Sequence, residues 1–264
     1  MNKFLTSRLV TQSEFSEPCY NTWCTQIKEP PVTHRKQAEF VMICEALQRM
    51  KMLQHGKHGV GFAVGDEPLP ALFASLGCKV LATDLDLDDE RTSKWMATNQ
   101  TCTIDSLNNR GICEPTEFTE RVKYRAVDMN RIPSDIGLCD FLWSACAVEH
   151  LGSIELGSNF IVNTLDIIKE NGVSVNTLEY NVSSNWNTVE KGETVLFRQQ
   201  DILNIIKRAK AKGFETVGTP SFDIGDGKLD RYVDLPPYRR SPHIKLEIDK
   251  YVCTSFILIL KKVS

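Results

Sequence analysis

The chain has 264 residues, 42% of them hydrophobic and 25% charged, with a formal net charge of −3. That length is long for one ordinary domain and short for two, and the composition is that of a globular protein, which excludes disorder, collagen and coiled coil. The slight negative balance offers nucleic acid no general attraction, so no nucleic-acid partner is expected.

No apolar run approaches the roughly 18 to 20 residues of a membrane-spanning helix; the longest clean run, 256–260, is strand-sized. The N-terminal stretch lacks the apolar core of a secretory signal, and the expected location is the cytoplasm. Nine cysteines form an odd, scattered set with no C-x-x-C pair, which reads as reduced, mostly buried thiols.

The first thirty residues read as an extension that packs over the main domain, with Pro30-Pro31 marking a joint. In 34–53, Phe40, Ile43, Cys44, Leu47 and Met50 recur at three- and four-residue spacings, which predicts an amphipathic helix closed by Gly56. Segment 1–56 is therefore expected to be a helical extension or lid, and 57–264 the main domain. From residue 57 the pattern predicts a strand at 58–63, a helix at 67–77, a strand at 79–86 and a helical stretch around 90–99. A strand at 122–129, a turn at Pro133, a strand at 139–145, a helix at 157–172 and a strand at 173–181 follow. An amphipathic helix at 198–214 points Ile202, Ile205 and Ile206 inward, and its Lys207, Arg208, Lys210 and Lys212 read as a solvated face. A final strand covers 251–262. Alternating strands and helices imply an α/β fold, a parallel sheet with helices on both faces.

In such a sheet, ligands bind where the strands end. The first turn, GVGFAVGDEP, passes from strand to helix with glycine where backbone must approach a ligand and Pro68 near the helix start. The next strand ends at Asp84, 19 residues beyond Gly65, the spacing at which an acid reaches ribose hydroxyls in nucleotide-binding units. A polyphosphate at this helix start wants free N–H groups and no acid. Asp66 and Glu67 oppose it and suit a ligand bearing an ammonium and a sulfonium. The lysine of a P-loop is missing too.

These features resemble the class I S-adenosylmethionine-dependent methyltransferases across roughly 57–180 and the last strand, and more narrowly bacterial methyltransferases encoded among glycan-assembly enzymes. The resemblance implies a Rossmann-like, seven-stranded, mostly parallel sheet with an antiparallel last strand. It implies S-adenosyl-L-methionine as cofactor and methyl transfer, O-methylation of a sugar, glycan precursor or other small hydroxyl compound. The glycine triplet of the family falls on Ala63, Gly65 and Glu67, or on Gly61, Ala63 and Gly65. Asp84 would hold the ribose, Asp128 with Met129 the adenine, and Ser144 would lie by the cofactor at the end of the fourth family strand. His150, in SACAVEHLG, is the candidate catalytic residue, either as a general base, since histidine as a residue type titrates near working pH, or as a group that positions cofactor or substrate, with a buried structural role as the alternative. Glu149 beside it lacks a second Glu/His cluster, so no metal is expected, and Cys146 reads as small packing.

The stretch 226–248 is too punctuated for a helix and is read as a loop. Within it Tyr238, Arg239 and His243 are the candidate substrate-binding residues, together with Asp230, Arg231 and Tyr232. His34 and Arg35 open the first predicted helix and could close over the cofactor. A nicotinamide-dependent oxidoreductase would want a cleaner glycine turn without Glu67. An inactive methyltransferase-like binding protein would keep the fold with a degenerate turn.

Overall fold

The computed structural model describes residues 5–86, 88–92, 104 and 106–263, and its centre is a mixed sheet. The chain opens with β1 (Arg8–Leu9), α1 (Pro18–Gln26) and α2 (Arg35–Arg49). It then alternates through β2 (His58–Phe62), α3 (Leu69–Ser75), β3 (Lys79–Asp84), α4 (Pro115–Arg121), β4 (Val122–Ala126) and β5 (Cys139–Ala145). There follow α5 (Ile154–Thr164), β6 (Ile168–Asn181), α6 (Gln199–Lys210), β7 (Phe214–Thr216), β8 (Val233–Asp234), β9 (Lys245–Ile248) and β10 (Tyr251–Lys262).

Strands β4, β3, β2, β5 and β6 lie side by side in that order and run parallel, and β10 closes against β6 antiparallel. This is the expected Rossmann-like arrangement with its antiparallel last strand. The strand count differs: the described residues form ten strands, not seven. The free edge of β10 is covered in three pieces, by β9 at Tyr251–Cys253, by β1 at Phe256–Ile257 and by β7 at Leu260–Lys262. Prolines and glycines punctuate the chain between β7 and β10, so it meets this edge only in short contacts.

Side chains alternate across the sheet with the period of two that a strand imposes. Phe141, Trp143, Val173, Val175, Ile257 and Ile259 join the core under α1, α2 and α3. Leu142, Leu178, Phe256, Leu258 and Leu260 join the second core, which holds apolar residues of α5 and α6. The predicted stripe of α2 is buried at Phe40, Ile43, Cys44 and Leu47. Its polar side is buried as well, because α1 lies over it: Trp23 Nε1 donates to Glu45 Oε2 (2.7 Å) and Tyr20 Oη to Gln37 Oε1 (2.9 Å). Residues 5–56 thus share their core with the sheet and supply one of its strands.

Two predicted bounds are corrected. The helix expected at 157–172 ends at Thr164, and the following strand begins at Ile168. Ile168 pairs with Cys139 and Val173 with Phe141, so 169–172 bulge opposite Asp140, with Asn171 at φ 63°. The loop expected at 226–248 contains β8 and the whole of β9. Of the helical stretch expected around 90–99, only a short turn at Glu90–Thr92 falls within the described residues.

Glycine in β2 has a packing cause. Gly59 and Gly61 pair with Phe141 and Trp143 of β5, and a Cβ on either glycine would lie 2.4 Å from the facing ring. Trp143 then donates its indole N–H to Glu67, which pins the β2–α3 turn to the sheet. Burial drives the Glu67 carboxyl up to about 8, with the indole hydrogen bond and Lys36 opposing the shift.

Gly61→Val should lower stability by about 1–3 kcal/mol, the usual cost of overpacking, read as a lower urea midpoint at unchanged slope. Raised carboxyls bind protons in the folded state that the unfolded chain has released, so stability falls as pH rises through the interval between the two pKa values. Glu67, and Glu179, which is pushed up to about 7, act in this sense. Thermal melting should therefore move down between about pH 5 and 8. Glu67→Gln should flatten that slope; an unchanged slope would show that Glu67 titrates normally.

Candidate active site

The β2–α3 turn is built on two left-handed residues, Ala63 (φ 50°) and Gly65 (φ 48°). Asp84, at the end of β3, closes it: Oδ2 accepts from the Gly65 N–H (3.0 Å) and Oδ1 from Leu85 N–H (2.8 Å). Burial raises the Asp84 carboxyl and these two N–H groups lower it. Each oxygen keeps a lone pair for a further donor. Gly61 is accounted for by the Trp143 ring above it.

Asp128 follows β4. Its Oδ1 accepts from Asn130 N–H (2.9 Å) and its Oδ2 from Arg91 (2.9 Å). Met129 is buried in the second core and walls a cavity of about 710 Å³ with Phe160. Ser144 is fully buried, and its hydroxyl donates to Asn176 Oδ1 (2.7 Å). His150 ends the short helical turn after β5, with Nδ1 2.8 Å from the Glu193 carbonyl oxygen. A carbonyl only accepts, so the proton sits on Nδ1 and Nε2 carries the basic lone pair.

The 226–248 residues divide. His243 is buried, with Nδ1 2.7 Å from Asp234 Oδ2 and its ring stacked on His34 at 4.5 Å. Burial and the neighbouring His243 and Arg35 push His34 down to about 4. Tyr238 is exposed and donates to the Glu247 carbonyl (2.6 Å); Arg239 is exposed, and its backbone N–H donates to Asp234 Oδ2 (2.8 Å). Asp230 ties its own turn to the N-terminal part of the chain, accepting from Gly227 N–H and Gln12 N–H.

The densest chemistry gathers around Arg35, with Lys36, Glu39 and Glu179, which sequence reasoning did not single out. Arg35 and Glu39, one helical turn apart, reach from α2 to the carboxyl ends of β5 and β6. Arg35 contacts Glu179 (2.7 Å), Ser255 Oγ (3.0 Å) and Cys146 Sγ (3.3 Å). Glu39 accepts from Thr177 Oγ1 (2.8 Å) and from the Ser255 hydroxyl. Lys36 Nζ donates to the Ala145 carbonyl (3.0 Å). Cys146 stands at φ 55°, a strained corner that turns the chain sharply at the end of β5. Beyond it Glu149 is 1% exposed, and neither of its carboxylate oxygens has a hydrogen-bond partner among the described residues. Glu179 Oε1 is likewise unpartnered. Donor atoms of Cys146, Glu149 and Glu179 lie within 4.8 Å of one another, a set whose spacing could hold a cation. Burial, Glu149 and Glu39 raise the Glu179 carboxyl and Arg35 lowers it; burial and the same acids push the Cys146 thiol well up. The sequence did carry a signal: Glu179 is an acid at every-second-residue spacing from Val175, inside a strand otherwise fit for the core.

No protein-family model matches the sequence, and no curated protein matches it. Solved structures do share its fold. A protein of Bacillus halodurans assigned as a methyltransferase superposes with a TM-score of 0.51 at 14% identity, covering 83% of this chain and 97% of that one. The magnesium protoporphyrin IX methyltransferase of Synechocystis with bound SAH gives 0.48 at 12% identity, covering 95% of this chain and 97% of that one. A protein of Galdieria sulphuraria assigned as a sarcosine dimethylglycine methyltransferase gives 0.44 at 16% identity, covering 67% of this chain and 59% of that one. The chain is thus similar in fold to the methyltransferase of Bacillus halodurans.

Proposed function

We propose that this protein is an S-adenosylmethionine-dependent methyltransferase that methylates a hydroxyl of a sugar, a glycan precursor or another small hydroxyl compound. The observation that carries this reading is the buried carboxylate surplus at the carboxyl edge of the sheet. Glu39, Glu67, Glu149 and Glu179 are all buried there, whereas the interspersed cations are Arg35 and Lys36. Carboxyls buried together raise one another's affinity for protons, and a cationic ligand among them would draw Glu67 and Glu179 back toward the ionised form, so this set favours a cation and opposes a pyrophosphate. S-adenosylmethionine, when bound, supplies a methyl group on a sulfonium that is itself a good leaving group.

The chain's own residues then have definable tasks. Asp84 accepts ribose hydroxyls through its remaining lone pairs, and Asp128 accepts from the adenine amino group. The two left-handed residues of the first turn, Ala63 and Gly65, bring backbone close to the methionine part. The unpartnered oxygens of Glu149 and Glu179 accept hydrogen bonds from acceptor hydroxyls, which orients the nucleophilic oxygen. Nε2 of His150 would take up the proton that this hydroxyl gives up. Most of the acceleration comes from alignment in a water-poor site, with a smaller share from the base. Tyr238, Arg239 and His243 complete the acceptor side, and segment 1–56, through His34 and Arg35, covers it.

Calorimetric titration should show S-adenosylhomocysteine binding and no comparable uptake of NAD. Asp84→Ala should weaken that binding by roughly 1.5–3 kcal/mol, the value of a charge-assisted hydrogen bond. Tight NAD binding would transfer the fold to oxidoreductase chemistry. Indifference to both ligands would leave a binding protein.

With an acceptor in hand, His150→Ala should cut kcat by about 10²- to 10⁴-fold while leaving the homocysteine-ligand affinity unchanged. An unaltered kcat would pass the base role to Glu149, which Glu149→Gln would then reveal.

A further inference from the structure

The chain leaves β6 at Asn181 and returns to α6 through 182–198, a segment tied to the candidate site at several points. Its Val195 N–H donates to the Glu149 carbonyl (2.9 Å), its Glu193 carbonyl holds His150, and its Glu190 carbonyl accepts from Ile154 N–H (3.1 Å). A cleft of about 710 Å³ opens on this segment and on the turn into β10, within the size range of small-molecule sites. Trp186 stands on it with 79% of its surface exposed.

An exposed indole is costly to keep, yet the backbone beneath this one is fixed. Ser184 Oγ accepts from the N–H groups of Trp186 (3.1 Å) and Asn187 (2.9 Å). The buried Arg198 guanidinium donates to the Trp186 carbonyl (2.7 Å). The Asn181 carboxamide accepts from Ser183 N–H (2.8 Å) and donates to the Asn187 carbonyl (3.1 Å). Around the indole the cleft is polar: the Asn187 carboxamide and the Tyr251 hydroxyl have no hydrogen-bond partner among the described residues, Lys250 brings a positive charge, and the Glu190 carboxylate is paired with Arg198 (2.9 Å).

An aromatic face on a fixed backbone, with an unspent carboxamide and hydroxyl beside it and no basic cluster, matches a ligand with one C–H face and a hydroxyl edge. A nucleic acid would want net positive charge, and an apolar helix would want apolar neighbours around the ring. We propose that this cleft is a carbohydrate subsite in which a pyranose ring of the acceptor stacks on Trp186 and exchanges hydroxyl hydrogen bonds with Asn187 and Tyr251. The assignment of that sugar as part of the methyl acceptor rests on the methyltransferase reading; saccharide binding at the cleft does not.

The test is an array of defined mono- to tetrasaccharides probed with the full chain, Trp186→Ala, Trp186→Phe and Asn187→Ala, each checked by thermal melting and by calorimetry with S-adenosylhomocysteine. The expected result is a set of saccharides bound by the wild type and retained by Trp186→Phe. Binding should weaken at least about tenfold in Trp186→Ala, a change equal to 1.4 kcal/mol, and weaken in Asn187→Ala, with melting and homocysteine-ligand affinity unmoved. A silent array, or signals equally strong in Trp186→Ala, overturns the subsite and leaves the cofactor reading standing. Concentration-dependent self-association abolished by Trp186→Ala also overturns it, by showing a contact between copies. Trp186-dependent saccharide binding without homocysteine-ligand binding upholds the subsite while removing the cofactor reading.

Discussion

The pairing of Arg35 with Glu179 and Glu39 is the constraint on which the remainder of the molecule depends. It joins a helix from the first fifty residues to β6 and, through Ser255, to β10, so three distant stretches meet on one guanidinium. A buried guanidinium is tolerable only where carboxylates and hydroxyls surround it, and these carboxylates are tolerable only because it is there. Because the helix that carries Arg35 also carries Lys36 and Glu39, its docking angle fixes the electrostatics of the strand ends. Fold stability and site chemistry are here one set of contacts.

The surplus acid around that centre gives the proposed site its selectivity. Glu67 lies between the two functions: it anchors the first turn to Trp143, and its buried carboxyl occupies the start of the turn where a phosphate would otherwise be welcome. The degenerate glycine pattern then has a physical account. Gly61 is required by Trp143 and Gly65 by its left-handed backbone, and Ala63 accepts the strain of the same conformation. The turn therefore follows the aromatic packing beneath it more closely than any glycine fingerprint.

Much of the fold was legible from periodicity. β10 spans the predicted 251–262, β5 the predicted 139–145, and the α2 stripe is buried where the three- and four-residue spacing put it, because each pattern is long and reports one local period. The bulge at 169–172 was not legible, since Asn171 and Gly172 read equally well as a helix end. The three short strands along β10 were missed because two- to four-residue pairings have no period to detect. For the site, Asp84 was legible from its spacing to Gly65, which it binds. Arg35, Glu39 and Glu179 were not legible as a group, because only the tertiary fold brings residues 35 and 179 together.

The pairing of β1 with β10 carries a consequence for how the protein comes into being. Leu9 sits opposite Phe256, so the two partners are separated by almost the full extent of the described polypeptide. Loop-closure entropy must be met before such a distant pairing returns any enthalpy, which makes it a late event on the folding pathway. Until then the Phe256–Ile257 stretch of the β10 edge stays open, and nascent molecules crowded on one messenger would be most prone to mistaken strand exchange there during that interval.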